Sequence, residues 1–486
     1  MDSYKFEDKQ RHPITENCRN SCIYGMDQFL LRPAMDMHAL IDQLGDLLEK
    51  NDRIDPDLYS KYRVMRGLRD EAGTGVLVGL TEIGDVRAYI FDEEEKVPVE
   101  GKLFYRGIEI NDLVNGFQGE GRLGFEECCY LLLVGDLPDQ GQLEDFKALL
   151  GELRTLPKGF TEDMILKAPS QDIMNKLARS VLVSYSFDPN PDDLSPRNVL
   201  RQCIELIARM PTMAAYGYQA KNHYHAKRSL FLHPPIKELG IAENILHMIR
   251  ADSQYSRLEA EMLDLALVLH AEHGGGNNST FVAHVVTSTG TDTYSAIAAA
   301  IGSLKGPQHG GAAHKVMDMM DGIRQGVQDW TDDDEIAAYL GQILRREAGD
   351  GSGLIYGIGH AVYTLSDPRT ILLKRKAELL AAEKGLEKEL NLYTAIERLA
   401  PEVFAQVKGS DKIMCANVDF YSGFVYRMLG IPRELYTPLF AIGRMAGWCA
   451  HRMEELVNGG KIIRPAYKSV IPKRGYTPMQ ERSRPH

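Results

Sequence analysis

Along most of the chain, apolar residues return at every third or fourth position, the period of helices that bury one face. Between Asp36 and Lys50, the spacing of Leu40, Ile41, Leu44, Leu47 and Leu48 predicts an amphipathic helix. The same period predicts helices over 125–135, 142–153, 170–186, 198–210, 258–270, 294–304, 335–346, 368–384, 388–398 and 419–429. Residues 76–106 differ: aliphatic and aromatic residues, broken by a charged turn at Asp92 to Lys96, predict one β hairpin with a solvated tip. The Pro- and Asp-rich stretches 187–196 and 233–240 read as loops, and residues 1–36 as an irregular arm. No internal repeat or low-complexity tract appears. The pattern predicts an all-α protein with one small β appendage.

Composition narrows the function. A chain of 486 residues has length for two to three domains, and its net charge of −12 argues against a nucleic-acid surface. No uncharged apolar run approaches the ~18 residues of a membrane span, and the start MDSYKFEDKQ reads as neither a signal nor a transit peptide. The seven cysteines are odd in number and scattered without a CxxC pair, which suits a reduced, cytoplasmic setting. Cys18 and Cys22 have half the spacing of a metal site but no second ligand pair nearby, so no metal is expected.

Candidate chemistry sits where helices end in glycine. The run to His270-Ala-Glu-His273 meets Gly274, Gly275 and Gly276, and the helix 294–304 runs through Gly306-Pro307 to His309, Gly310 and Gly311. On this reading His273 and His309 stand at opposite ends of one helical segment, with glycines that let backbone and ligand approach closely. A single histidine at a helix end more often packs or caps; two, each beside a glycine turn, shift the balance. Glycines 351, 353, 357 and 359 form a loop presenting His360, with Asp367 as N-cap and Pro368 as first residue of a helix that holds Arg369 in its first turn. Asp419 stands in the first turn of an apolar helix, as a dipole-stabilised carboxylate or as a desolvated base. Phe440, Arg444 and Trp448 share one helix face, and a buried arginine there calls for an anion; Arg464 follows a Gly-Gly stop in an extended tail. Three arginines suit a small dicarboxylate, and one carboxylate with neutral histidine donors suits proton abstraction beside a carbonyl.

At HAEHGGGNNSTF, GPQHGGA, GIGHAVYTLSDPR, NVDFYSG, LYTPLFAIGR and a terminal Arg-Pro, in that order, the sequence resembles the citrate synthase family, including its 2-methylcitrate synthase members. The likeness covers about residues 76–470. It implies an all-α, two-domain fold, with a large domain of 76–310 plus 425–486, a small domain of 311–424 closing over the substrates, and residues 1–75 outside the likeness. It implies condensation of acetyl-CoA, or propionyl-CoA in the nearest alternative, with oxaloacetate, followed by hydrolysis of the thioester. The rival of another class is a non-catalytic protein that retains the fold, which would be free to lose a base or donor that this chain keeps. In the family's pattern His309 stabilises the enol, Asp419 removes the α-proton and His360 polarises the ketone. His273, Arg369, Arg444, Arg464 and Phe440 bind oxaloacetate, and the backbone of Leu354, Ile355, Tyr356, Gly357, Ile358 and Gly359 receives the adenine. No cofactor beyond the coenzyme A thioester substrate is implied, and a homodimer with Arg464 reaching the neighbouring site is. Three positions depart from the pattern: Ala313 where relatives have asparagine, Glu272 for the common aspartate, and Thr364 where some relatives have an arginine for CoA. Lys374, Arg375, Lys376, Lys408 and Lys412 are then candidates for the CoA phosphates, each equally readable as part of a solvated helix face.

Overall fold

The computed structural model describes residues 36–70, 73–92, 95–410 and 413–482; Cys18, Cys22 and Lys412 lie outside the described residues. The chain divides into a unit ending at Val78 and a second from Gly79 onward. The first holds α1 (Met37–Asn51) and α2 (Asp57–Lys61). Asp36 starts α1 by accepting the His38 and Ala39 amides at 3.0 and 3.3 Å, as an N-cap should. The apolar stripe of α1 does not become core: Ile41, Leu44 and Leu48 are exposed.

The second unit opens with a three-stranded antiparallel sheet, β1 (Gly84–Asp92), β2 (Glu95–Tyr105) and β3 (Ile108–Glu109), in sequence order. Pairing begins only at Gly84, opposite Tyr105; Val76, Leu77, Val78 and Leu80 are apolar yet lie outside the strands with exposed side chains. Alternation without a partner strand to accept its hydrogen bonds does not make a strand. Helices follow: α3 (Ile110–Gly119), α4 (Phe125–Val134), α5 (Gln140–Leu153), α6 (Ile173–Ser184), α7 (Pro196–Tyr224), α8 (Ile241–Ile249), α9 (Arg257–His270), α10 (Asn278–Thr287) and α11 (Thr293–Lys305). Then come α12 (Ala312–Gly326), α13 (Asp333–Leu344), α14 (Pro368–Lys384), α15 (Glu387–Lys408), α16 (Val418–Met428) and α17 (Tyr436–Val457). None of the described helices is long and apolar enough to cross a membrane, and the five cysteines among the described residues form no disulfide.

Two helices outrun their expected ends. The periods break near 210 and 398, but α7 continues through Pro211 to Tyr224 and α15 through Pro401 to Lys408. A proline removes one backbone donor and kinks a helix, yet burial on both sides of Pro211 holds the two halves of α7 in one element.

The core forms around α7, α9, α11 and α17. Met262, Leu263, Leu265, Leu267, Val268 and Leu269 of α9 are all buried, so this helix is apolar on every side rather than striped. Each such side chain contributes about 1.5–3 kcal/mol on leaving water. Polar groups lock its neighbours. Asp264 of α9 accepts the Gly124 and Phe125 amides at 2.7 and 3.1 Å, capping α4 from another helix. Arg452 of α17 donates to Thr287 Oγ1, Thr293 Oγ1 and the Thr291 carbonyl at 2.8–3.1 Å, tying down the turn between α10 and α11. The sheet also reaches inward: the Tyr105 hydroxyl accepts the Glu272 amide at 3.2 Å and lies 2.9 Å from the Val268 carbonyl, which fixes the end of α9.

Candidate active site

His273 stands in the loop just beyond α9, where Gly274 takes the left-handed backbone (φ +81°) that turns the chain. His309 is not at the other end of one helix. Two helices intervene, α10 and α11, and they pack against each other as a hairpin, returning His309 to the start of α10. There the Ser279 amide N–H points at His309 Nε2 (3.3 Å), and the Ser279 hydroxyl lies 3.0 Å from the same nitrogen. Nε2 is therefore an acceptor, and the neutral ring carries its proton on Nδ1. Burial, then the Arg444 charge, lowers the His309 pKa to about 4, so the ring is neutral at physiological pH. The glycines of its turn serve packing: a Cβ on Gly310 would collide with the Leu304 carbonyl and come within 2.8 Å of Thr437, and one on Gly311 within 2.9 Å of Pro307. Thr437 of α17 donates to the Gly310 carbonyl at 2.9 Å, clamping the turn.

His360 has the opposite tautomer. The Val362 and Tyr363 amides both donate to its Nδ1 at 3.0 Å, leaving the proton of the neutral ring on Nε2. Its ring stacks on Tyr363, 4.8 Å between centroids, and meets His273 edge-on at 5.2 Å. The preceding loop is held against residues 415–417: the Gly359 amide donates to Cys415, and the Asn417 amide and side chain donate to the Gly357 and Gly359 carbonyls, at 2.7–2.9 Å. Gly357 is obligatory there, with φ +80° and a would-be Cβ 2.9 Å from the Phe420 Cα. Asn417 also caps α16, accepting the Asp419 amide at 3.0 Å. The clamp thus brings the His360 loop and Asp419 together.

Electrostatics divide the charged groups. The Asp419 side chain is only partly covered at the surface, but protein surrounds it closely; desolvation raises its pKa to about 6, against the pull of Arg369 and Arg444. Arg369 is buried and grips Asp367 through Nε (3.0 Å) and Nη2 (2.7 Å). Burial alone would lower the Arg369 pKa, but Asp367 outweighs it and holds the guanidinium firmly charged. Arg444 lacks such a partner. Its Nε donates to the His270 carbonyl at 2.7 Å and its Nη1 to Asn277 Oδ1 at 3.0 Å, while Nη2 is buried without a hydrogen bond. Burial pulls it down to about 10 against the nearby charges of Glu272 and Asp419, so it remains a cation, and among the described residues it forms no ion pair. It lies 4.9 Å from the Phe440 ring centre, and Phe440 in turn meets His270 and His309 edge-on at 4.6 and 6.2 Å. His273 Nε2 is likewise buried and unpartnered, its pKa well below the ordinary value through burial and then Arg369.

His273, His309, His360, Arg369, Asp419, Phe440 and Arg444 therefore form one connected cluster. Arg464 does not join it: it lies exposed beyond α17, where the Ile463 amide donates to Ser288 Oγ at 3.1 Å. In the loop 354–359, Ile355 is buried and Leu354 exposed, and the Tyr356 hydroxyl donates to Asp350 at 2.7 Å. Lys374 and Lys376 pair with Glu397 and Glu261 at 2.6 Å, Lys408 donates to the Leu344 carbonyl at 2.8 Å, and Arg375 is exposed. Ala313 is buried in the first turn of α12. Sequence reasoning passed over Ser279, Asn277, Tyr363 and the side-chain role of Asp367. Only Asp367 carried a local signal, two residues before an arginine at a helix start.

The family model described as "Citrate synthase, C-terminal domain" matches residues 71–466. A citrate synthase from Synechocystis sp. is 34% identical over 388 residues, spanning 79% of this chain and 89% of its own. A 2-methylcitrate synthase from Shewanella oneidensis is 32% identical over 382 residues, spanning 76% and 90%. Among solved structures, citrate synthase from Thermoplasma acidophilum, in ternary complex with carboxymethyl coenzyme A and oxaloacetate, matches with a TM-score of 0.69 and 26% identity over 86% of this chain and 99% of its own. The family model spans well over half of the chain and relatives and fold agree with it, so the chain belongs to the citrate synthase family.

Proposed function

We propose that the protein condenses acetyl-CoA with oxaloacetate and hydrolyses the resulting thioester to citrate and free CoA. One observation carries this reading: Arg444 and His273 offer buried, unpartnered nitrogens beside Arg369, and among the described residues no carboxylate forms an ion pair with Arg444. A desolvated guanidinium in that state is costly unless an anion meets it, and a small dicarboxylate would. Asp419 takes a proton from the thioester methyl group, and His309 Nδ1–H donates a hydrogen bond to the enolate oxygen that forms. The enolate carbon attacks the ketone of oxaloacetate, whose oxygen receives a hydrogen bond from His360 Nε2 and takes up a proton through it, the proton released again by Asp419 restoring the balance. Water then cleaves the thioester. Arginines and histidines carry the charge in these steps.

Residues 76–310 with 425–486 would form a large domain and 311–424 a small one that closes on the substrates, bringing Arg369 and Asp419 toward Arg444. A homodimer in which Arg464 completes the neighbouring site accounts for that arginine's exposure in a single chain. The loop 354–359 would receive the adenine. Propionyl-CoA is the second reading, supported by the Shewanella relative; one methylene in an apolar pocket shifts selectivity by only ~1–3 kcal/mol. Release of CoA thiol with oxaloacetate fixed, and acetyl-CoA or propionyl-CoA varied, tests both. Absence of oxaloacetate-dependent release with either donor refutes the condensation.

A further inference from the structure

Behind the loop that carries His273, four side chains form a line through the interior. Glu272 Oε1 lies 3.0 Å from His451 Nε2, His451 Nδ1 lies 3.1 Å from His284 Nε2, and His284 Nδ1 lies 2.9 Å from Glu455 Oε2. Glu272 and His451 are fully buried, and the other two nearly so. An ionised carboxylate only accepts, so each histidine donates to its own carboxylate through its outer nitrogen. The two inner nitrogens, His451 Nδ1 and His284 Nε2, then face each other as lone pairs. A third acceptor joins them: Glu454 Oε2, 3.8 Å from His451 Nδ1, is buried without a hydrogen-bond partner, while its Oε1 accepts the Glu82 amide at 2.7 Å. A proton can bridge two of these three atoms; a divalent ion satisfies all three.

We infer that His284 Nε2, His451 Nδ1 and Glu454 Oε2 form a binding site for a divalent transition-metal ion, with Zn²⁺ the best fit. The three ligand atoms lie within 4.8 Å of one another. The separations of 3.1 and 3.8 Å bracket the edge, about 3.3 Å, of a tetrahedron with metal–ligand bonds of about 2.0–2.1 Å. The outer shell is also that of a metal site. A ligating histidine characteristically gives its second nitrogen to a carboxylate, which fixes its tautomer, and here both do, to Glu272 and Glu455. A cavity of about 830 Å³ bordered by His284, Glu454 and Glu455 supplies an entry path and room for a fourth, water ligand. No sequence spacing announces the site, since His284 and His451 are 167 residues apart. The reaction proposed above neither uses nor requires this ion.

The test uses the untagged full-length chain, stripped with a chelator and titrated with Zn²⁺ by competition calorimetry, and with Co²⁺ by visible absorption. We expect one ion per chain and the intense bands of tetrahedral Co²⁺. His284→Asn and Glu454→Gln each remove one ligand, and each should weaken binding at least ~10-fold with the circular dichroism unchanged. Less than one ion per chain in the unaltered protein, or only the weak bands of octahedral Co²⁺, overturns the site whatever the variants do. Variants that bind as tightly as the parent place the ion elsewhere and overturn it equally.

Discussion

Replacing Asp419 by asparagine should stabilise the protein while disabling it. Desolvation raises this carboxyl from 3.8 to about 6, which means that its charged form is disfavoured in the folded state. For an acid with a raised folded pKa, stability is fully present below the unfolded value and is lost as pH rises through the folded one. Two units at about 1.4 kcal/mol each set the cost at roughly 3 kcal/mol by pH 7.5, with about half of it already present at pH 5. Asparagine keeps the shape without the charge and escapes that cost. For a unit of some four hundred residues this corresponds to about 3 °C in Tm, read by thermal unfolding across pH 5–8. Turnover should fall at least ~10²-fold, and exchange of the acetyl-CoA methyl protons with deuterated water should fall with it. In the parent enzyme, kcat/KM should drop below pH about 6 as Asp419 takes up a proton. A variant that gains no stability at pH 7.5, gains it equally at pH 5, or still exchanges those protons at the parent rate refutes the assignment.

Oxaloacetate should bind first, because its carboxylates can bridge Arg369 and Arg444; calorimetry should show acyl-CoA affinity rising in its presence, and equal affinity without it would reject the order. Gly357→Ala should cost well over tenfold in turnover, since its Cβ would displace Phe420 beside Asp419, whereas Gly351→Ala, at φ +73° with open space around it, should strain the backbone by about 1 kcal/mol but leave turnover within about twofold; equal effects on turnover would reject the clamp. Subunit exchange between Asp419→Asn and Arg464→Ala homodimers should restore roughly a quarter of parental activity if Arg464 acts across the interface, because half the random dimers then hold one intact site of two. Exchange confirmed by tagged pull-down without recovery would place Arg464 in its own chain's site.

The helical period located most of the fold because burial on one face leaves a local trace. It failed where that trace is absent. In α10, Val282, Val285 and Val286 are only half-buried, and in α12 methionines alternate with charged residues and glycines, so neither helix stands out from its neighbours. Prolines at 211 and 401 cut two helices short on paper but not in the structure, where packing on either side outweighs one missing hydrogen bond. The site residues were legible one at a time as histidines beside glycine turns, a carboxylate at a helix start and an arginine on an apolar face. Their grouping was not, since it depends on the α10–α11 hairpin and on the clamp between 357–359 and 415–417.

The tautomers are the part of the site furthest from sequence, and the chemistry depends on them. His309 is fixed by the Ser279 amide at the start of α10, and His360 by two amides of its own loop, so the two rings present N–H groups from different nitrogens. Burial keeps the His309 ring uncharged near neutral pH, which suits its proposed role as a donor that stabilises an enolate while keeping its proton. The positive charge is carried instead by Arg369 and Arg444, which cannot serve as proton donors at that pH. In the proposed mechanism, separating the two duties leaves Asp419 as the one group whose protonation changes in the first step, and it is also the carboxyl of the cluster whose pKa desolvation raises to about 6.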